Sequence, residues 1–577
     1  MVKRFNLTIK RRLGIPMKIQ EEQVFTTADA IVKELVEAGV EVAFGIVSIH
    51  NMPIYDAILR EGSIKLICSR GESGAVNMAD GYARSTGKLG VVITSTGTGA
   101  GNAAGSLVEA WAAGVPLLHL TGEVASPYLG TGRGYIHECK DQLSMMSGAS
   151  KNAVRLRKPE QTAAVVRKAI QEAMTAPAGP VTLEIPIDFQ SAIIEDVSLE
   201  GVQLVTSQIT STVIPEEIVE KIVEARRPVI WAGGGVITAN ASNELTKLAE
   251  LLGAAVITSQ SGKGSIPEDH EQCIGHFAAY ESTKEFLRKA DLLISVGVRF
   301  RGNETSNWKV PVPEEHIAID ADWQAINRNY KASFGLVGDA KDMLAALVQN
   351  LEEKSVSAVP TYIEEVRSLR NEVRAQLRET LGPYEQFVDS MREILPRDTI
   401  LVRDVTVQAN VWGSRLYEIY EPRTSIHASG GGIGQGLPTA IGAQVGCPDK
   451  TVVLMAGDGG FMVNVGEMVT AAEENLPIII VLFDDAGYGV LRNIQEAEYG
   501  RQVAVDLLSP EFVKLAEAMH FDAVRIGSGD EFVCELKKAK DRRKPSMIVV
   551  DMEAVGPMAK PFGGPPGAAE AFKPKKL

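Results

Sequence analysis

Three parallel-sheet α/β domains are predicted, on three observations. Continuous apolar runs alternate with helix-patterned segments, as in Thr451–Met455, the stretch after it, and Ile478–Phe483. Buried strands joined by helical crossovers read this way. The 577 residues suffice for about three or four domains of ordinary size. A shift of 361 positions lays Val91, Val92, Gly105, Ala110 and Pro116 without gaps on Val452, Val453, Gly466, Ala471 and Pro477. One strand–turn–helix–strand topology is therefore expected at each end of the chain.

Composition removes several classes. Hydrophobic residues at 45% and charged ones at 23% are ordinary for a soluble enzyme. A net charge of −14 with no basic stripe argues against a nucleic-acid or acidic-membrane partner. The five cysteines, Cys68, Cys139, Cys273, Cys447 and Cys534, are scattered and form no CxxC. Reduced thiols in a cytoplasmic protein are expected, not a disulfide frame or a zinc site. No apolar run is long enough to span a bilayer. Residues 1–23 carry Lys3, Arg4, Lys10, Arg11, Arg12 and Lys18 before the first acid, Glu21. They lack the composition of a transit or signal peptide and read as a basic N-terminal extension.

The first domain, 24–190, opens with a helix from Thr27-Ala28-Asp29 to Ala38, apolar at Ile31, Val32, Leu35 and Val36 and stopped by Gly39. Strands follow at Glu41–Gly45, Ile64–Cys68, Gly90–Ser95, Leu117–Leu120 and Val181–Ile185. Between the first two, a loop carries His50. After the second, Arg70-Gly71-Glu72-Ser73-Gly74 opens a helix, where the helix dipole by itself favours an acid. The turn Gly97-Thr98-Gly99-Ala100-Gly101 misses the dinucleotide fingerprint. The polar loop GTGRGYIHECKDQ holds Arg133, His137 and Glu138 and reads equally as surface or as substrate loop.

A Ser/Thr/Val-rich linker, 191–213, leads to a central domain, 214–350, with strands at Pro228–Ala232, Val256–Ser259, Leu292–Val298 and Ile317–Asp320. Its Gly233-Gly234-Gly235 turn would suit a nucleotide phosphate. On that turn rests an alternative of another class, a flavin- or nucleotide-binding oxidoreductase. Residues 351–380 are charged and helix-forming, and a solvated helix is expected there. The third domain, 381–555, has a strand at Thr399–Val402, Gln408 just beyond it, and the glycine-rich Ser429–Pro438, in which Ile433 follows Gly432. The tail, 556–577, is Pro/Gly-rich and reads as flexible or as a lid.

The segment around which the chain is organised is MAGDGGFMVNVGEMVTAAEENLPIIIVLFDDAGYGVLRN, residues 455–493. Acids stand after both of its strands, Asp458 on one side and Asp484-Asp485 on the other. Ligands sit off the carboxyl ends of parallel strands, and a carboxylate pair beside glycine backbone suits a hard cation gripping phosphate. Gly457-Asp458-Gly459, followed after a helix and a strand by a polar pair, resembles the thiamine diphosphate motif of the superfamily that includes acetolactate synthase and benzoylformate decarboxylase. RGESGAVNMADGYAR resembles the segment that carries that superfamily's catalytic glutamate. The third match is Ile433, a lone apolar residue in a glycine loop.

The resemblance implies a pyrimidine-binding first domain, a Rossmann-like middle domain and a diphosphate-binding third domain. It implies that Asp458, Asp485 and the Gly487 carbonyl ligate Mg²⁺, which holds the diphosphate. Here Asp484-Asp485 stands where the family has two asparagines. Gly432, Gly457, Gly459, Tyr488, Gly489 and Gln408 would contact thiamine diphosphate, and Ile433 would prop it in its bent shape. Glu72 would activate the aminopyrimidine ring from a neighbouring subunit, so a homodimer or homotetramer is expected. His50 and His137 are candidate proton donors, since imidazoles suit transfers near pH 7. The reaction implied is decarboxylation of a 2-oxo acid to an enamine followed by carboligation, with protonation and release of an aldehyde as the alternative. GVRF (Gly297–Phe300) and SIPEDH (Ser265–His270) resemble acetolactate synthase, whose middle domain often binds FAD. The rest of that region matches poorly, and FAD is not favoured. Ile494 replaces the tryptophan that many synthases carry after the second strand.

Overall fold

Residues 24–195, 213–352, 354 and 359–564 are described by the computed structural model. The basic extension, most of the first linker and the end of the tail lie outside them. The first sheet contains β1 (Val42–Gly45), β2 (Lys65–Cys68), β3 (Gly90–Thr94), β4 (Leu117–Glu123), β5 (Asn152–Arg155) and β6 (Pro180–Pro186). The second contains β7 (Pro228–Ala232), β8 (Ala255–Thr258), β9 (Cys273–Gly275), β10 (Leu292–Val296), β11 (His316–Asp320) and β12 (Phe334–Val337). The third contains β13 (Ile400–Arg403), β14 (Ser425–His427), β15 (Val452–Gly457), β16 (Ile479–Asp484), β17 (Asp522–Ile526) and β18 (Ser546–Asp551).

All pairings within the three sheets are parallel. The first sheet runs β2-β1-β3-β4-β6-β5 and the third β14-β13-β15-β16-β18-β17. These are the same order once each domain is counted from its own first strand, as the 361-residue shift led one to expect. The middle sheet runs β9-β8-β7-β10-β11-β12, the doubly wound nucleotide-fold order. Its Gly233 turn is closed by packing: a Cβ there would lie 2.0 Å from the Gly297 carbonyl oxygen, and the helix that follows, Gly234–Thr238, is a single short turn.

The terminal domains meet through two helices, Glu72–Thr86 and Gly436–Gly446, which follow β2 and β14. They cross without side chains between them: a Cβ on Gly442 would stand 1.8 Å from the Met78 carbonyl oxygen, and one on Gly81 2.0 Å from that of Thr439. One hydrophobic core spans this junction, including Val76, Met78, Tyr82, Ala440, Ile441 and Leu454. The helix Pro360–Arg378 corrects the expectation of a solvated helix. Tyr362, Val366, Leu369, Val373 and Leu377 bury one face of it, because these apolar residues recur at helical spacing between the charges. It straps the middle domain to the third, with the Tyr362 hydroxyl donating to the Pro228 carbonyl at 2.9 Å and Arg370 to Glu268 O at 2.7 Å and Glu418 at 3.0 Å. All five cysteines are free. No helix among the described residues is long and apolar enough to cross a membrane.

Candidate active site

β15 ends at Gly457, and Asp458 opens a short helix at its carboxyl end. β16, its parallel neighbour, ends one residue before Asp485, and the pairing of Gly457 with Phe483 brings both acids to one rim. Asp458 is 2% exposed. Its Oδ2 accepts the Gly487 N–H at 2.9 Å and the Ser509 hydroxyl at 3.0 Å. Its Oδ1 is buried without a partner. Asp485 Oδ2 lies 3.2 Å from Arg492 Nη1. Burial, and then the charge of Asp458, push Asp485 up to about 7, and burial raises Asp458 as well. A buried acid and a half-buried one side by side resist joint ionisation unless a cation joins them. Among the described residues no three His, Cys, Asp or Glu side chains gather as a metal set. A cation here would draw on the two carboxylates and backbone oxygen, an all-oxygen donor set that fits Mg²⁺.

Around this pair, Gly459 lies against the Tyr488 ring, where a Cβ would be 2.8 Å away, and Tyr488 N–H donates to the Val505 carbonyl at 2.8 Å. Gly489 follows as the first residue of the helix Gly489–Tyr499. The glycine loop that carries Gly432 and Ile433 is tied down by Asp404, which accepts the N–H groups of Gly434 and Gly436 at 3.1 and 2.9 Å. Ile433 itself is 40% exposed, a large apolar side chain left facing open space beside Gly460. Gln408 is fully buried and engaged internally, with the Thr406 hydroxyl at 3.2 Å and the Met552 sulfur at 3.6 Å.

The first sheet builds a second cluster at the matching rim. Glu72 is the first residue of its helix, and its Oε2 accepts from Asn102 at 3.1 Å. Ser95, at the end of β3, bonds Ser48 at 2.8 Å, and Ser48 Oγ in turn accepts the His50 N–H at 3.1 Å. His50 Nδ1 and His137 Nδ1 are 3.2 Å apart, so the loop and the polar segment that hold them, 87 residues distant in sequence, meet here. Burial, and then the neighbouring His137, hold His50 below the usual imidazole range. Tyr135 edges the His50 ring, and Tyr128 stacks on Tyr135. Glu72, His50 and His137 thus share one rim. Among the described residues no hydrogen bond joins Glu72 to Asp458, Asp485 or Ile433. One link between the two regions in one chain is Ser73 Oγ to Asn464 Oδ1, 3.2 Å. Ser509 and Asn102 are partners that sequence reading missed, since neither lies in a motif.

Family models match each domain in turn: the thiamine pyrophosphate enzyme N-terminal TPP binding domain over residues 25–145, the central domain over 215–347, and the C-terminal TPP binding domain over 406–550. The chain belongs to the thiamine pyrophosphate enzymes. It is 33% identical over 560 residues to a probable acetolactate synthase large subunit of Methanocaldococcus jannaschii, covering 93% of this chain and 94% of that one. It is 31% identical over 505 residues to a probable 2-ketoarginine decarboxylase of Pseudomonas aeruginosa, covering 87% and 89%. With acetolactate synthase isozyme 3 large subunit of Escherichia coli it shares 29% over 556 residues, 92% and 96% of the two chains. The protein is a thiamine diphosphate-dependent enzyme (thiamine pyrophosphate is the same cofactor).

Proposed function

We propose that the enzyme uses thiamine diphosphate and Mg²⁺ to decarboxylate a 2-oxo acid and then joins the remaining fragment to a second carbonyl compound. The observation that carries this reading is the Asp458–Asp485 pair, with Asp458 buried and its Oδ1 unpartnered, set on the strand rim of a chain whose relatives include acetolactate synthase large subunits. When bound, the cofactor supplies a nucleophilic carbon and an electron sink. Asp458, Asp485 and the Gly487 carbonyl would hold Mg²⁺ against the diphosphate. Gly432, Gly457, Gly459, Tyr488 and Gly489 would line it, and Ile433 would support its bend. Glu72 would hold a proton at the far nitrogen of the aminopyrimidine. That contact calls for a dimer at least, with Glu72 facing Asp458 of the partner subunit.

A second reading, release of an aldehyde after protonation, is favoured by the His50–His137 contact at 3.2 Å. Two imidazoles sharing one hydrogen bond can pass a proton near neutral pH, and one relative is named a 2-ketoarginine decarboxylase. A panel of 2-oxo acids incubated with the protein, thiamine diphosphate and Mg²⁺ tests both. 2-Hydroxyketone or acetohydroxy acid products support ligation, and carbon dioxide with free aldehyde supports the second reading. No carbon dioxide from any member of the panel, with calorimetry showing no cofactor uptake, sinks both.

A further inference from the structure

The two terminal domains hold each other through a reciprocal pair of buried carboxylates. Glu467, 2% exposed, leaves the third domain from the helix Glu467–Glu473 and reaches the start of the Glu72 helix. Its Oε1 accepts the backbone N–H groups of Arg70 and Gly71, each at 3.0 Å, while Oε2 is 3.2 Å from Arg70 N and accepts the Thr470 hydroxyl at 2.7 Å. Glu109, 3% exposed, leaves the first domain from the helix Thr98–Ala113 and reaches the Ile433 loop. Its two oxygens accept the Gly430 N–H at 2.8 and 2.7 Å, and Oε2 accepts from Gln435 at 3.2 Å. Each carboxylate occupies the place of a missing side chain: a Cβ on Gly74 would lie 2.1 Å from Glu467 Oε1, and one on Gly430 2.5 Å from Glu109 Oε2. The 361-residue offset brings the two contacts to neighbouring positions, not to identical ones. It carries Glu72 onto Ile433, Ser69 onto Gly430, and Glu109 onto Thr470, one helical turn from Glu467.

We propose that Glu467 and Glu109 are reciprocal positioning residues for catalysis, Glu467 fixing the helix start that aims Glu72 and Glu109 fixing the loop that presents Ile433. The inference rests on the role given to Glu72 above. A carboxylate that accepts two adjacent N–H groups sets the direction of the chain leaving them, and Glu72 is the next residue. Asn464 supports the same registration, accepting from Ser73 at 3.2 Å and donating to the Gly434 carbonyl at 2.7 Å. The two carboxylates act on different things, so their loss should separate. Glu467 governs how well Glu72 works on a cofactor already bound. Glu109 governs how well the cofactor is held.

The test compares full-length wild type with E467Q, E109Q, T470V and E72Q. One readout is deuterium exchange at the thiazolium C2 of bound thiamine diphosphate, which needs no substrate. The second is calorimetric half-saturation by thiamine diphosphate with Mg²⁺, and the third is amide exchange of residues 70–72 and 430–434 in the cofactor-free protein. E467Q is expected to free the amides of 70–72 and to slow C2 exchange by about 10- to 100-fold, the loss that a misplacement of about 1 Å produces, with half-saturation unchanged. E109Q is expected to free 430–434 and raise half-saturation about tenfold, with C2 exchange near wild type, a tenfold change being about 1.4 kcal/mol. T470V, which releases a single carboxylate oxygen, is expected to slow C2 exchange in the same direction and stands in for E467Q if that variant fails to fold. Wild-type C2 exchange and half-saturation in variants whose amides are deprotected would overturn the proposal. E72Q separates the two claims. Wild-type C2 exchange in E72Q removes the role of Glu72, whereas slow exchange in E72Q beside wild-type exchange in E467Q removes the positioning role alone.

Discussion

Asp458 and Asp485 are both acids, yet their surroundings give them unequal weight. Asp458 takes two hydrogen bonds on Oδ2 and leaves Oδ1 bare in the interior. Asp485 is braced by Arg492. Substituting Asp458 by Asn should weaken thiamine diphosphate uptake by about 100-fold or more, each decade being about 1.4 kcal/mol. Asp485→Asn should be tolerated, since an amide oxygen can still ligate a hard cation and the like-charge repulsion with Asp458 disappears. Calorimetry with and without Mg²⁺ reads both. The histidines make a different prediction. Their bond needs at least one neutral imidazole, and burial together with His137 keeps His50 neutral to below its ordinary 6.5. Aldehyde release should therefore stay level down to about pH 6.5 and fall only below it. His137→Asn should lower aldehyde release by about 100-fold while ligated product persists. Product analysis across pH in both proteins checks this. Glu72, Asp458 and Ile433 were nameable from sequence because each stands in a short local pattern that resembles a family motif. Ser509, 51 residues beyond Asp458, could not, because only the folded loop brings it there.

Helices and strands show the same division. Central strands such as β7, β10, β15 and β16 are continuous apolar runs and were legible within a residue or two. β18, a buried apolar run beside β17, was missed, and so were the edge strands β5, β9, β12, β14 and β17. The edge strands are short, several are half-exposed, and their apolar residues do not form a run. The Pro360–Arg378 helix was legible as a helix, but the partner for its apolar stripe was not, since that partner is assembled from distant segments. The crossing of the Glu72 and Gly436 helices makes the sharpest prediction at this scale. Gly442→Ala would push a methyl group into the Met78 carbonyl, 1.8 Å away. Overpacking of this kind costs about 1–3 kcal/mol, so chemical denaturation should show the variant less stable by that amount. Ala443→Gly, on the same helix, should separate loss of packing from this wedge by leaving the helices in place.

Across the whole molecule, buried neutral histidines link stability to pH. Burial pushes His119 down to about 3, and its two ring nitrogens bond Thr94 and Thr182 inside the first sheet. His276 and His427 are likewise held well below 6.5, by burial first and then by nearby arginines. In the unfolded chain these rings take up protons below about 6.5, while in the folded protein they do not. Stability should therefore be intact above pH 6.5 and decline as pH falls, by about 1.4 kcal/mol per pH unit for His119 alone until its folded value is reached. Denaturant melts at pH 7 and pH 5 of wild type and His119→Gln should show a flatter response in the variant. The reciprocal carboxylate contacts carry a further consequence, for synthesis. Gly430 leaves the ribosome 321 residues after Glu109, an interval of roughly 15 to 65 s at ordinary elongation rates. Throughout that time the nascent N-terminal third holds a carboxylate without its acceptor loop and an apolar helix face without its cover. The first third of this chain is thus expected to keep that face uncovered until the helix Gly436–Gly446 has emerged.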